Sequence, residues 1–274
     1  MKRTILFILS LFLCFGNIAM TSCNQTFNEE SSLPSAEETS TPTPARLRIG
    51  TYNIANGREI NWDFKLIAED IKNNNLDIVG LQEVDRFCNR SKKIDTVARL
   101  KEYTGWEYCA YFKCIDHDGG EYGTAILSKY PIIETNEIEL NDGKTVERRL
   151  LTCAKIDVNG KIINFFNTHL TIASADVRKK EFQTVASKVV NVENCILTGD
   201  FNVSSYAEYD CLKPLSFVNN PETSYITYPE NERRIDNICY SEQFTLVENS
   251  HGIYQQNHSD HVLLYAEFEY YPDN

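Results

Sequence analysis

From position 47 onward, short apolar runs recur along the chain with two different spacings. Leu47 to Ile54 alternates apolar with polar or small residues, which predicts a strand ending at Asn53. From Trp62 to Asn73, Phe64, Ile67, Ala68 and Ile71 fall at helical spacing, and an asparagine-rich stretch stops the helix. Leu76 to Leu81 reads as a buried strand that ends in Gln82-Glu83. Strand, helix and strand at these separations predict a layered α/β architecture.

Asp95 to Thr104, with Val97, Leu100 and Tyr103 on one face, predicts a second helix. The pattern then becomes strand-rich: Tyr108 to Phe112, Thr124 to Leu127, Ile138 to Leu140, Leu150 to Ile156 and Ile162 to Asn167. Asp118-Gly119-Gly120, Asn141-Asp142-Gly143 and Asn159-Gly160 separate them, and such pairs join antiparallel neighbours. The last of these strands leads into Asn167-Thr168-His169. A third helix is predicted over Ala175 to Val192, carried by Val177, Val185, Val189 and Val192. It delivers the chain to a short strand, Cys195 to Leu197, and then to Thr198-Gly199-Asp200-Phe201-Asn202. An irregular region, Tyr206 to Arg234, precedes three further strands: Arg234 to Tyr240, Phe244 to Glu248 and Val262 to Tyr270.

Composition narrows the setting. With 274 residues, 42% of them hydrophobic, the chain can bury a full-sized core. There are 27 Lys and Arg against 39 Asp and Glu, a net charge of −12, with no basic stripe of the kind that grips long nucleic acid. Cys14 and Cys23 fall in or beside the amino-terminal apolar segment. The remaining cysteines are odd in number and several, such as Cys153, Cys195 and Cys239, sit inside apolar runs as small hydrophobes. Cys109 and Cys114 are the one candidate bridge. No Cys and His spacing matches a zinc site.

The chemistry gathers at strand ends. Asn53, Glu83, His169, Asp200 and Asn202 stand at the carboxyl ends of their strands, whereas Asp236 and Ser259-Asp260-His261 stand at amino ends. If the latter strands run antiparallel to the former, all these tips share one rim, where open sheets place ligands. Asn53, Glu83, Asp200, Asn202 and Asp260 offer hard oxygen or amide groups suited to Mg²⁺ or Mn²⁺. Two histidines in the same set suit proton transfer and anion stabilisation. Phosphoester hydrolysis needs this combination.

Several motifs occur together: Thr51-Tyr52-Asn53-Ile54, Leu81-Gln82-Glu83-Val84, Gly120-Glu121-Tyr122-Gly123 before Ala125-Ile126-Leu127-Ser128, Asn167-Thr168-His169-Leu170, Gly199-Asp200-Phe201-Asn202, Arg234-Ile235-Asp236 and Ser259-Asp260-His261. In this order they resemble the endonuclease/exonuclease/phosphatase, or DNase I-like, superfamily, above all its bacterial hydrolases of unknown substrate. The resemblance implies a four-layer α/β sandwich, two packed mixed β-sheets flanked by helices. It implies Mg²⁺ on Glu83 and Asn53, with Asp260 bound directly or through water. By the same resemblance His261 is the general base or acid, oriented by Asp236. Asp200 and Asn202 position the attacking water or leaving group and the phosphate, and His169 donates to a phosphate oxygen. Glu121 and Tyr122 are both candidates to support His169, and Tyr122 is also a candidate substrate-binding residue. Arg148, Arg149 and Arg178 are each either a surface charge or a bidentate phosphate ligand.

Lys2-Arg3, the apolar run Ile5 to Phe15 and Met20-Thr21-Ser22-Cys23 resemble a bacterial lipoprotein leader over residues 1–23, with Cys23 lipidated. Residues 24–45, rich in Ser, Thr, Pro and Glu, are expected to be a disordered tether, and 46–274 the catalytic domain. The expectation is thus an exported monomer, lipid-anchored at the cell envelope and hydrolysing a phosphodiester in a small molecule, a lipid headgroup or a nucleic-acid fragment. An exported nuclease using the same residues and a non-catalytic binding lipoprotein on the same fold are the alternatives.

Overall fold

The computed structural model describes residues 43–272. The expected leader at 1–23, lipidation at Cys23 and all but the last residues of the tether at 24–45 lie outside the described residues. The first sheet contains β1 (Ala45–Asn53), β2 (Ile78–Arg86), β3 (Tyr108–His117) and β4 (Gly120–Ser128). The second contains β5 (Ile132–Glu139), β6 (Leu150–Val158), β7 (Lys161–His169), β8 (Cys195–Asp200), β9 (Ser216–Phe217) and β10 (Asp236–Tyr240). The chain then returns to the first sheet with β11 (Thr245–Tyr254) and β12 (Leu263–Tyr270). Strand order is β11-β12-β1-β2-β4-β3 in one sheet and β5-β6-β7-β8-β10-β9 in the other. Among the described residues only β1 with β2 and β7 with β8 pair in parallel; the other pairings are antiparallel.

Helices cover the outer faces. On α1 (Lys65–Asn73) and α2 (Thr96–Thr104), Ile67, Ala68, Ile71, Val97 and Leu100 pack on Tyr52, Val79, Leu81 and Leu127 of the first sheet. Asp95 caps α2 by accepting from the Ala98 N–H. On α3 (Ala175–Val189), capped by Ser174, Phe182, Val185 and Val189 pack on Leu151, Cys195, Leu197 and Cys239 of the second sheet. Between the sheets lies an inner core that includes Ile49, Ile78, Phe165, Ile196, Ile238 and Phe268. The result is the expected α/β/β/α sandwich.

Side-chain alternation along the strands explains why chemistry collects at one rim. Positions facing the inner core recur every second residue, and toward one end they change from apolar to polar. The series run Ile49, Thr51, Asn53 on β1; Ile78, Gly80, Gln82 on β2; Phe165, Asn167, His169 on β7; Ile196, Thr198, Asp200 on β8. Beneath the rim the two sheets are therefore joined by hydrogen bonds. Gln82 Nε2 donates to Thr51 Oγ1 at 3.1 Å and to Asn167 Oδ1 at 2.7 Å, and Asn167 Nδ2 donates to the Leu81 carbonyl at 2.9 Å. A Cβ at Gly80 would collide with Thr198 and Asn167, so this close approach requires glycine.

Several local expectations change. β5 spans Ile132–Glu139, where the pattern predicts only Ile138 to Leu140, because it is an exposed edge strand without an apolar stripe. Asp118-Gly119 and Asn159-Gly160 are tight hairpin turns with positive φ, but Asn141-Asp142-Gly143 belongs to a longer loop between Glu139 and Leu150. The predicted strands at Tyr108 and Phe244 run on to His117 and Tyr254. Cys109 and Cys114 do not bridge; both lie on β3, where an extended backbone holds their sulfurs apart, and all cysteines among the described residues are free thiols.

Candidate active site

The registers bring the polar ends together. β12 runs antiparallel to β1 with Thr51 opposite Leu264, which returns Asp260 and His261 to the tip that carries Asn53. β10 runs antiparallel to β8 with Asp236 opposite Asp200, and β7 runs parallel to β8 with His169 beside Asp200. The Ser259 hydroxyl donates to the Asn53 carbonyl at 2.7 Å and fastens the last segment to β1.

Asp200 Oδ2 is the shared point. Asn53 Nδ2 donates to it at 3.1 Å, His169 Nε2 lies 3.5 Å away and His261 Nε2 lies 3.6 Å away. The other ring nitrogen of His261, Nδ1, meets Asp236 Oδ2 at 2.8 Å. Asp200 Oδ1 accepts from the Asn202 N–H at 3.0 Å, and Asn202 Nδ2 donates to the Leu170 carbonyl at 2.9 Å. Asn202 adopts φ 51, the left-handed turn that folds its backbone N–H back on Asp200. Asp200, Asp236 and His261 offer ligand atoms all within 4.8 Å of one another.

These groups titrate unusually because they are buried together. Burial pushes the Asp200 carboxyl up and Asp236 adds to it, against His261 and the bonds from Asn53 and the Asn202 N–H, leaving it at about 7. Burial disfavours a charged His261, yet Asp236 and Asp200 outweigh it and raise the imidazole to about 10. At neutral pH His261 is therefore an imidazolium between two carboxyl groups. His169 goes the other way: burial, then the neighbouring Arg149 and His261, hold it well below 6.5.

Arg149 sets the second histidine. Its Nη1 meets His169 Nδ1 at 3.0 Å and Glu147 Oε1 at 2.9 Å. Arginine only donates, so Nδ1 must accept, and the ring proton of neutral His169 sits on Nε2, facing the site. Neither Glu121 nor Tyr122 hydrogen-bonds His169. Glu121 lies 3.8 Å from Arg86 and from Lys113, while Tyr122 is buried beneath the Arg90 guanidinium with Glu83 and Arg149 as neighbouring charges. The hairpin at Asn159-Gly160 contains a signal for this: its two-residue turn pairs Val158 with Lys161, and that register places the residues before Leu151 beside His169.

Glu83 owes its position to a break in the alternation. The β2–β4 register shifts between Leu81 and Val84, and Glu83 takes φ 56, a bulge that turns its side chain from the sheet toward the rim. Asn53 Nδ2 donates to Glu83 Oε1 at 3.2 Å, and among the described residues no cationic side chain forms a salt bridge with this carboxylate. Arg58, in the short 3-10 helix Ala55–Ile60, pairs with Asp260 through Nη2, and Glu83 is another carboxylate whose charge reaches it. Asn53 Oδ1 accepts from the Ala55 N–H at 3.0 Å, and Ser259, bonded to the Asn53 carbonyl, lies 3.4 Å from Asp260 Oδ1. Glu83, Asn53 and Asp260 carry the oxygen groups that suit a hard divalent cation, and Arg58 holds the positive charge at Asp260. No signal in the sequence singled out Arg58.

The other candidate arginines are placed elsewhere. Arg178, 3% exposed, forms a two-pronged pair with Glu208 at 2.9 and 3.3 Å and donates to Ser204. Arg148 pairs with Glu139 at 2.8 Å and donates to the Lys113 and Cys114 carbonyls, tying the sheet edges together. Neither is among the groups gathered around Asp200.

The profile of the Endonuclease/Exonuclease/phosphatase family matches residues 50–261. Among solved structures, an endonuclease/exonuclease/phosphatase from Beutenbergia cavernae superposes with TM-score 0.68 at 21% identity, covering 82% of this chain and 72% of its own. A mannosyl-6-phosphatase from Bacteroides thetaiotaomicron gives TM-score 0.60 at 20% identity over 81% of this chain and 99% of its own. A humanized D. rerio TDP2 gives 0.64 at 19% identity over 81% and 98%. A search of curated protein sequences finds no match. At these identities the structural likenesses establish the fold.

Proposed function

The chain belongs to the endonuclease/exonuclease/phosphatase family of phosphoester hydrolases, and from that premise we propose that it is a Mg²⁺-dependent phosphodiesterase. The observation that carries this reading is the convergence of Asn53, His169 and His261 on Asp200 Oδ2 at 3.1, 3.5 and 3.6 Å, beside the donor set of Glu83, Asn53 and Asp260. Glu83 and Asn53, with Asp260, would hold Mg²⁺ or Mn²⁺, which supplies Lewis-acid polarisation of the phosphate and neutralises its charge.

In this proposal Asp200 accepts a proton from the attacking water. A carboxyl at about 7 is matched to that task near neutral pH, and imidazolium His261, held by Asp236, stabilises the carboxylate before the transfer. His261 thus acts as charge stabiliser and, as the P–O bond to the leaving group breaks, as the acid that gives its proton to the departing oxygen, rather than as a neutral base. His169 donates from Nε2 to a phosphate oxygen, with Arg149 keeping the tautomer fixed. Asn202 holds Asp200 through its backbone and lines the space where the phosphate sits. Tyr122, buried with the charges of Glu83 and Arg149 near it, is the aromatic substrate contact in this proposal.

The same proposal places the enzyme outside the cytoplasm as a monomer, anchored through lipid on Cys23 with 24–45 as tether. Its substrate is a small molecule, a lipid headgroup or a nucleic-acid fragment. A panel of phosphodiesters assayed with Mg²⁺, with EDTA and with His261→Ala tests the chemistry. Turnover is expected with Mg²⁺ alone, and turnover that survives both EDTA and the substitution refutes it. Plasmid nicking in the same panel would turn the assignment toward a nuclease. A Cys23→Ala chain that fractionates like the unsubstituted one removes the anchor.

A further inference from the structure

Beside Asn202, an open cavity of about 580 Å³ is lined by Ile172, Arg178, Asn202, Tyr206, Arg233 and Arg234, among others. Its electrostatics differ from those of the rest of the surface. Every other arginine among the described residues is paired with a carboxylate, as Arg178 is with Glu208. Among the described residues Arg233 and Arg234 have no carboxylate within 4.0 Å, and this in a chain of net charge −12. Glu232 lies next to them in sequence with its side chain exposed at the lip, but does not pair with either.

The two guanidiniums are held differently. Arg234 is fixed by donating from Nε to the Ser224 carbonyl and hydroxyl, at 3.2 and 2.7 Å, and from Nη1 to the Glu232 carbonyl at 2.8 Å. These neutral acceptors orient the group without cancelling its charge. Among the described residues the Arg233 side chain makes one long hydrogen bond, Nη2 to the Asn202 carbonyl at 3.4 Å, which leaves most of its donors without an acceptor there. It stands against the backbone of a residue already placed in the reaction site. The tyrosine at 206 and the exposed Ile172, 61% accessible, add an apolar surface beside the charges.

We propose that this cavity is a second phosphate subsite: it binds a dianionic phosphate group carried by the same substrate, away from the scissile phosphate, with Arg233 and Arg234 as its ligands. The proposal rests on the phosphoester-hydrolase reading and narrows its substrate class to organic compounds with two phosphate groups. A dianion meets two uncompensated guanidiniums, each able to give paired N–H donors to phosphate oxygens. The carbon framework between the phosphates lies along Asn202 and the apolar lip. Arg178, with its charge already cancelled by Glu208, shapes the wall and does not select the anion.

Two reporter esters that differ only by the second phosphate test this: thymidine 5′-(4-nitrophenyl phosphate) and its 3′-phosphorylated analogue, assayed with Mg²⁺. The 3′-phosphorylated ester is expected to have at least about tenfold higher kcat/KM in the unsubstituted enzyme. Arg233→Gln should bring the ratio close to one, and Arg233→Lys should retain part of it. A ratio near one in the unsubstituted enzyme, or a preference that Arg233→Gln leaves intact, overturns the subsite. A second measurement needs no turnover: NMR titration of ¹⁵N-labelled protein with inorganic phosphate in EDTA, following the arginine Nε–H signals. Shifts at Arg233 and Arg234 are expected, and their absence overturns the proposal. Shifts at both arginines together with no hydrolysis of any ester would instead count against the hydrolase reading.

Discussion

Replacing the Asp236 carboxylate by an amide, Asp236→Asn, tests the charge arrangement around Asp200 most directly. In the metal-free protein His261 is raised from 6.5 to about 10, a rise that at 1.36 kcal/mol per pH unit corresponds to about 5 kcal/mol of stabilisation as an upper limit. The sign follows from the direction. A raised histidine contributes fully below 6.5, and the contribution is lost as pH climbs through about 10. The Asp200 carboxyl, raised from 3.8 to about 7, has the same slope: stability is greatest below 3.8 and is lost as pH rises through about 7. The substitution removes the charged partner of His261 and also the repulsion on Asp200, which is then free to ionise and pair with His261 across 3.6 Å. That compensation places the deficit at pH 6 near the low end of what breaking a buried pair costs, about 3 kcal/mol. At pH 10, where His261 is losing its proton and the two aspartates of the unsubstituted protein repel each other, the deficit should shrink toward zero. Urea unfolding in EDTA at pH 6 and pH 10, followed by circular dichroism, measures both values. Equal deficits at the two pH values would refute the reasoning, because a purely steric effect of the amide does not depend on pH.

Three other outcomes are expected. Arg149→Met removes the donor that assigns the His169 proton to Nε2; a fall in kcat/KM of about 10–100-fold is expected, as for lost orienting partners elsewhere. ¹⁵N NMR should show mixed tautomers, and an unchanged Nε2–H form would count against Arg149 as the positioning group. Arg58→Ala takes the guanidinium off Asp260, so calorimetry should read tighter Mg²⁺ binding by a few-fold; weaker binding would place Arg58 outside the proposed cation site. Phe201 stacks on Phe182 at 5.7 Å and meets Tyr209 at 5.2 Å, directly between Asp200 and Asn202 in the chain. Phe201→Ala should cost about 3–5 kcal/mol in urea unfolding, and a loss under about 1 kcal/mol would mean that the cluster closes the gap.

Much of the rim was legible because each member sits where an apolar run stops. Asn53, His169 and Asp200 lie in phase with Ile49, Phe165 and Ile196, so a period of two already pointed them toward the inner layer. Glu83 was found by its motif, not by its phase, since strict alternation from Ile78 would place Gln82 inward and Glu83 outward. Only the bulge, a property of the β2–β4 pairing, turns it to the rim. Arg149 was a candidate as a surface charge or a phosphate ligand, and the structure sets it against His169 and Glu147. Its adjacency to His169 comes from the β6–β7 register, and its charge reverses the electrostatic support that a carboxylate there would give. Arg58 lies on a short 3-10 turn with left-handed residues at Asn56 and Gly57, where no periodicity states which way a side chain points.

What the amino-acid sequence determined by itself is therefore the layered α/β class and the residue types that meet at one edge. Both follow from local periodicity and from where the periodicity ends. What the tertiary structure decided is the protonation logic: His261 charged, His169 neutral and Asp200 poised near 7. It also decided which arginines are neutralised by a carboxylate and which keep their charge for a ligand. Ionisation depends on burial and on which charges lie within a few ångströms, and those distances are set by strand register and sheet packing, which pair residues far apart in the chain.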